Sequence, residues 1–212
     1  MVDPVFLLFA FVNILFAFVV HELAHGYAAY QLGDPTAKYE GRLTWNPVKH
    51  VDPIGAALIL GTLALSGGRF VMGWGKPVQY DSENFKHEFR DVALVALAGP
   101  AINYLLALAG WITLYFVPVP VPLLYSFLYS FTMVNLGLAL FNCIPCPPLD
   151  GWKVVQYFVA TSTARSMQRF EARHGVVPLL VLMLFLMVLP DPIDWIFYYA
   201  MQPLWMKAGL GA

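Results

Sequence analysis

The residues of this chain with the clearest potential for chemistry are His21, Glu22 and His25, which form an HExxH pentapeptide inside an apolar stretch. On a helix, positions i and i+4 share a face, so the two imidazoles can bind one metal ion. The carboxylate beside them can accept a proton from a water molecule that the metal activates. Ionisable side chains are costly inside a membrane and usually mark a functional site there. We therefore interpret the pentapeptide as a metal site rather than a chance match.

A catalytic zinc site needs a third protein ligand and one open position for water. His50, His87 and His174 could supply that ligand, but nothing in the sequence around them favours the role. Asp150 is the better candidate, because it lies in the proline-rich segment NCIPCPPLDG that follows a long apolar run. The prolines end a helix, and the glycine after the aspartate permits a tight turn. Taken alone, the segment is more typical of a helix-ending loop with an exposed aspartate.

The two motifs together resemble the site-2 protease family of intramembrane zinc metalloproteases. That family pairs HExxH in one membrane helix with an NxxPxxPLDG-like motif near the end of a later helix. A GPxxN motif often lies on an intervening helix, and residues 99–103 of this chain read GPAIN. The resemblance extends from the first apolar stretch to Gly151, and the joint occurrence of the motifs is highly specific.

The resemblance implies an intramembrane zinc endopeptidase that cleaves membrane-spanning or membrane-anchored proteins. It implies one zinc ion per chain, with His21, His25 and Asp150 as the ligands. Glu22 would be the general base. It also implies a minimal family member without a PDZ or CBS domain. Two other classes stay open at this point, a membrane metal transporter and a zinc-binding membrane protein without catalytic activity.

Two asparagines are candidates for substrate binding. Amides in membrane helices often form hydrogen bonds between helices, but an amide near a metal can also hold a substrate backbone or an oxyanion. We favour binding of substrate or an oxyanion for Asn142, because it stands immediately before the prolines that are expected to end the helix. Asn103 is a further substrate-binding candidate, although a structural role is favoured for it. Asn13 and Asn135 are expected to be packing residues.

Cys143 and Cys146 form a CxxC pair within the proline-rich segment. A single CxxC without a second ligand pair is a weak indication of zinc or redox chemistry. We expect both side chains to act as small apolar fillers. Whether either thiol touches the zinc stays open.

Composition places these residues in a membrane. The 212-residue chain is 59% hydrophobic and 12% charged, whereas a soluble domain carries about 25% charged residues. We expect one integral-membrane domain, residues 1–212, with the lipid bilayer and a membrane-spanning protein substrate as partners. There is no basic block, so nucleic acid is not expected as a partner. The oligomeric state is not predicted.

The fold class predicted is an all-α polytopic membrane protein. Crossing a bilayer takes about 20 apolar residues, and four stretches are long enough: residues 4–32, 92–117, 123–141 and 176–199. Residues 54–66 are short for a crossing and are predicted to be re-entrant or interfacial. Residues 67–80 look like a small β-hairpin around a Gly-Trp-Gly turn. We expect its edge to pair with an extended substrate.

The basic residues predict the orientation. Seven of the 12 Lys and Arg residues lie between the first two predicted spans and four between the third and fourth. If the N-terminus is outside, both basic loops face the cytoplasm, as the positive-inside rule prefers. This predicts a protein of the prokaryotic cytoplasmic membrane with its active site near the cytoplasmic side. The histidines and Asp150 then meet only if residues 54–66 enter and leave on the same side.

Overall fold

The computed structural model describes residues 4–66, 71–188, 198–200 and 202–203. This part of the chain is helical. Two short 3-10 helices, Pro47–Lys49 and Ser82–Asn84, lie in the loops. The α-helices are α1 Pro4–Gln31, α2 Thr36–Tyr39, α3 Pro53–Leu65, α4 Glu88–Phe116, α5 Pro122–Asn142, α6 Asp150–Phe158, α7 Thr161–His174 and α8 Val177–Val188.

Helices α1, α4 and α5 pack against one another and form the centre of the molecule, and α6 packs on α4. Each of the three is long and apolar enough to cross a membrane. Their outer faces expose large apolar side chains such as Leu8, Leu105 and Leu123, which is the pattern expected of helices surrounded by lipid. Gly110 of α4 lets Thr132 of α5 approach its backbone closely, as small residues do between membrane helices. The protein is therefore an integral membrane protein.

The short apolar segment after α2 forms α3, which has 13 residues. At 1.5 Å per residue it is about 20 Å long, less than the hydrocarbon thickness of about 30 Å. Asp52 caps its first turn by accepting hydrogen bonds from the backbone N–H groups of Ile54 and Gly55. Its length fits the expectation of a segment that does not cross the bilayer.

The predicted count of four spans is not supported. Three described helices qualify as spans, and the fourth stretch, residues 176–199, lies partly outside the described residues. Within it, α8 has 12 residues, from Val177 to Val188. This described part is shorter than the roughly 20 residues that a crossing takes.

The predicted β-hairpin is not supported either. Residues 67–70 lie outside the described part of the chain, and residues 71–80, here called the extended segment, contain no strand. The reason is that its backbone donors have partners other than a second strand. Met72 donates to the Thr62 hydroxyl and Lys76 to the His50 carbonyl. The expected strand edge for substrate therefore has no basis in the described residues.

Residues 152–173 form most of α6 and α7. Helix α7 is bound to the start of α4 through Arg165, whose guanidinium donates two hydrogen bonds of 2.6 Å to the Glu88 carboxylate. Helix α6 is bound to α7 through Lys153 and Glu171, whose charged groups lie 3.3 Å apart. These contacts fix the position of α6, which begins with Asp150.

Candidate metal centre

The two imidazoles of the pentapeptide lie on one face of α1. Their Nε2 atoms are 3.0 Å apart, and the rings meet edge to face with centroids separated by 4.5 Å. His21 is 4% exposed and His25 is 9% exposed. The i, i+4 spacing of a helix produces this juxtaposition directly.

Asp150 reaches the same point from the first turn of α6. Its Oδ2 atom lies 3.2 Å from Nε2 of His21 and 3.3 Å from Nε2 of His25. The close approach of α6 to the end of α5 depends on Gly151, since a Cβ atom there would overlap the Cys143 carbonyl. The three donor atoms form a nearly equilateral triangle.

This triangle fits a zinc ion. Tetrahedral zinc with bonds of about 2.0–2.1 Å holds its ligand atoms roughly 3.3 Å apart, close to the three separations observed. In addition, Asp150 Oδ2 is buried without a hydrogen-bond partner, which is costly unless a cation or proton compensates it. Within the described residues, these three side chains are the group that could hold a metal ion. Three protein ligands leave one position open, as in catalytic zinc sites.

Helix α4 provides a hydrogen-bond acceptor for the Nδ1 atom of each imidazole. The Val95 carbonyl lies 2.7 Å from Nδ1 of His25, and the Asn103 Oδ1 atom lies 2.6 Å from Nδ1 of His21. Gly99 lies between these two positions, and a Cβ atom there would be 2.7 Å from the His21 ring and would overlap His25. Because a carbonyl only accepts hydrogen bonds, Nδ1 of His25 carries the proton, and in the neutral imidazole Nε2 then has a lone pair that a metal ion could accept.

Glu22 is 6% exposed. Its Oε2 atom accepts a hydrogen bond of 2.6 Å from the backbone N–H of Val78 in the extended segment. Val78 is itself buried. The carboxylate adjacent to the imidazoles is thus held by the loop between α3 and α4.

The two asparagine candidates lie in different surroundings. Asn103 is 0% exposed, and its amide contacts α1 and α5 as well as His21. Asn142 is half-buried at the end of α5, and its Nδ2 atom donates to the Leu138 carbonyl one turn earlier. The hydrogen bonds of Asn142 therefore do not connect it to the three metal-binding candidates.

The other histidines and the cysteines do not join the cluster. His50 Nε2 donates to the Thr44 carbonyl, and His174 Nδ1 donates to the Phe170 carbonyl. Cys143 and Cys146 are free thiols and are not part of the three-residue group. Burial raises the pKa of both thiols, and the neighbouring Asp150 carboxylate raises that of Cys143 further.

The charge around Asp150 is set by its two imidazole neighbours. Burial alone would raise the pKa of this carboxyl, but the proximity of the His21 and His25 imidazoles outweighs burial and lowers the pKa below its ordinary value. The aspartate is therefore in the anionic form that a metal ligand requires.

Close by, burial raises the pKa of Tyr80. Burial lowers the pKa of Lys153, but the neighbouring Tyr80 and Glu171 outweigh burial and raise it.

Sequence reasoning missed Val78 and Val95. Both act through backbone atoms, an N–H to Glu22 and a carbonyl to His25, so their side chains carried no signal. The contact of Asn103 with His21 could have been anticipated from the GPxxN motif, but only with the knowledge that α4 packs on α1.

Comparison with known proteins gives a consistent result. The sequence profile described as Peptidase family M50 matches residues 119–187. YwhC of Bacillus subtilis (strain 168), named as a candidate zinc metalloprotease, is 37% identical over 179 residues, covering 81% of this chain and 78% of YwhC. No solved structure shows a significant match.

Two more distant relatives bear the name Rip2 and the same description. The protein of Mycolicibacterium smegmatis (strain ATCC 700084 / mc(2)155) is 27% identical over 156 residues, covering 72% of this chain and 58% of the relative. That of Mycobacterium tuberculosis (strain ATCC 25618 / H37Rv) is 28% identical over 173 residues, covering 80% and 64%. This chain therefore spans about three-fifths of each of these two proteins.

Proposed function

This chain belongs to peptidase family M50, the site-2 protease family, and from that premise we propose that it is an intramembrane zinc endopeptidase. The family and the described spans make it a membrane zinc metallopeptidase. The proposal adds that its substrates are membrane-spanning or membrane-anchored proteins. It also assigns the roles of Glu22, His21, His25 and Asp150.

One observation carries the assignment of ligands. Two imidazoles from α1 and a carboxylate from the start of α6 meet within 3.3 Å of one another, although more than 120 positions separate them in the sequence. Three acceptor atoms at such distances repel one another unless a cation or a proton lies between them. A zinc ion would supply that cation, so the geometry supports these three residues as its ligands.

When bound, zinc lowers the pKa of water to about 7 and polarises the scissile carbonyl. His21, His25 and Asp150 would hold the ion. Glu22 accepts the proton of the attacking water and delivers it to the leaving amine. The carboxylate of Asp150 and that of Glu22 also offset the charge of the ion in a medium where an unpaired charge is costly.

The site is expected near the cytoplasmic face of the membrane. The loops that hold the basic residues precede α4 and follow α5, and the positive-inside rule assigns them to the cytoplasm. The Asp150 helix and the extended segment belong to these same loops. Water and an unwound substrate segment would enter from that side.

A matched set of variants tests the proposal. Glu22→Gln keeps the ligands and is expected to bind one zinc per chain but lose cleavage of a membrane-anchored reporter. Asp150→Asn removes a ligand charge and should lose both zinc and cleavage. Glu83→Gln, an exposed acidic residue outside the site, serves as the control and should retain both. Normal cleavage by Glu22→Gln would refute the mechanism, and normal zinc binding by Asp150→Asn would refute the ligand set.

A further inference from the structure

We propose that Asn103, itself oriented by Asn135, is a positioning residue that fixes the tautomer of His21 so that its Nε2 atom faces the metal with a lone pair. The inference rests on the ligand set of the proposed function. It gives Asn103 a role distinct from substrate binding. Four hydrogen bonds inside the α1, α4 and α5 core carry it.

The first part concerns the direction of the Asn103 amide. Its Nδ2 atom lies 3.1 Å from the Ala17 carbonyl and 2.9 Å from Oδ1 of Asn135. A backbone carbonyl can only accept a hydrogen bond. The NH₂ group must therefore face Ala17, which leaves the amide oxygen facing His21.

Asn135 fixes the same direction independently. Its Nδ2 atom donates to the Phe131 carbonyl at 2.9 Å, so its Oδ1 atom faces Asn103. Flipping both amides would place an oxygen of Asn103 against the Ala17 carbonyl and an oxygen of Asn135 against the Phe131 carbonyl. Because both side chains are 0% exposed, no water could relieve those repulsions.

The relay therefore determines the protonation of His21. The amide oxygen of Asn103 lies 2.6 Å from Nδ1, which must carry the proton to donate to it. In a neutral imidazole the other nitrogen, Nε2, is then an acceptor. The Val95 carbonyl fixes the same tautomer at His25. At His21 the acceptor belongs to a side chain, so a substitution can remove it.

Without this acceptor, His21 has a competing state. The alternative tautomer would carry its proton on Nε2, which lies 3.2 Å from the Asp150 carboxylate, and would donate a hydrogen bond to it. That state satisfies the aspartate without a metal and excludes the ion. The Asn103–Asn135 pair thus stabilises the metal-binding form relative to a metal-free alternative.

The test measures zinc affinity of the 212-residue chain in detergent micelles, by competition with a chromophoric chelator, together with the Co²⁺ absorption spectrum. Asn103→Leu should weaken zinc binding about 10–100-fold, the usual effect of losing a hydrogen-bond partner of a metal-bound histidine. It should also shift the Co²⁺ bands. Asn135→Leu should give a smaller loss in the same direction.

Two variants separate positioning from packing. Asn13→Leu is the matched control, because Asn13 is also buried on α1 and donates to the Phe127 carbonyl of α5, but does not contact a histidine. It should leave zinc affinity unchanged. Asn103→Asp keeps an acceptor for His21 but loses the donors to Ala17 and Asn135. It should be less stable than the wild type and yet bind zinc more tightly than Asn103→Leu.

The outcomes are distinguishable. Equal zinc affinity in Asn103→Leu and Asn13→Leu would overturn the inference. If Asn103→Leu does not fold, the comparison of Asn135→Leu with Asn13→Leu decides in the same way. If His21→Ala binds zinc as tightly as the wild type, the ligand set of the proposed function fails instead.

Discussion

Val78 donates its backbone N–H to the carboxylate of Glu22 at 2.6 Å, although 56 positions separate the two residues. The donor belongs to a segment with no strand partner in the described residues, and the acceptor lies on the central helix α1. This bond joins the loop after α3 to the residue that we propose as the general base.

The Val78 bond predicts a difference between two substitutions. Val78→Pro removes the N–H and leaves a buried carboxylate without its donor, so it should destabilise the protein by about 1–3 kcal/mol. Val78→Ala keeps the N–H and loses only part of the side-chain packing, and it is the control. Thermal unfolding of the two variants in the same detergent provides the comparison. Equal loss of stability would show that the side chain, not the N–H, makes the contribution.

Gly99 predicts a loss of metal binding on addition of one methyl group. In Gly99→Ala the new Cβ atom would overlap His25 and lie 2.7 Å from the His21 ring, so the imidazoles must move apart. Zinc content after dialysis should fall well below one per chain. Gly61→Ala is the control, since Gly61 lies in α3 with no atom near its Cβ position and should be neutral or slightly stabilising. Full zinc content in Gly99→Ala would contradict the packing of α4 on the histidines.

Asp34 predicts a pH-dependent contribution to stability. It is 0% exposed and accepts hydrogen bonds from Thr36, Asp81 and Asn84, so it joins the end of α1 to the loop before α4. Burial raises the pKa of this carboxyl, but the hydrogen bonds outweigh burial and lower it. Its stabilising effect is therefore present above the unfolded-state pKa of about 3.9 and is lost as the pH falls through the lower folded-state value.

For that reason, Asp34→Asn should lower the unfolding temperature at pH 7, where the charge-assisted hydrogen bonds are worth about 1.5–3 kcal/mol each. The difference from the wild type should shrink as the pH falls below about 4. Asp52→Asn, at the half-buried cap of α3, is the comparison. A difference that stays constant down to pH 3 would contradict the assigned pKa direction.

We expect Cys143 and Cys146 to react slowly with alkylating reagents. Burial raises the pKa of Cys143 and Cys146, and Asp150 adds to the effect at Cys143. Since the thiolate is the reactive form, alkylation at pH 7 should be slower than that of a free cysteine and should accelerate towards alkaline pH. Mass spectrometry of iodoacetamide-treated protein measures both rates. The variant with serine at both positions should keep one zinc per chain, and loss of zinc would place a thiol in the metal site.

The metal-binding candidates were accessible to sequence reasoning because their side chains carry the chemistry. His21 and His25 share a helix face by their spacing alone, and the third ligand followed from the resemblance of the proline-rich segment. Val78 and Val95 were not accessible, because a backbone N–H and a backbone carbonyl are present at almost every position. Which of them meets Glu22 or His25 depends on tertiary packing.

The same distinction explains where the fold predicted from the sequence differs from the observed fold. The spans α1, α4 and α5 are long apolar runs, and hydrophobicity predicts such helices well. The β-hairpin was inferred from glycine and proline positions, which predict turns but not the partners of the backbone. Those partners turned out to be a hydroxyl, a carboxylate and a loop carbonyl.

The spacing of Val95, Gly99 and Asn103 along α4 has a consequence for the membrane domain as a whole. Sliding α4 by one turn, about 5.4 Å, would bring a bulky side chain to the place where the imidazoles need a glycine. The proposed metal site therefore fits the observed axial position of α4 against α1 and not one displaced by a turn. By linkage, an ion that binds only this arrangement of α1 and α4 also stabilises it. Zinc would therefore stabilise the relative position of two membrane helices in addition to activating a water molecule.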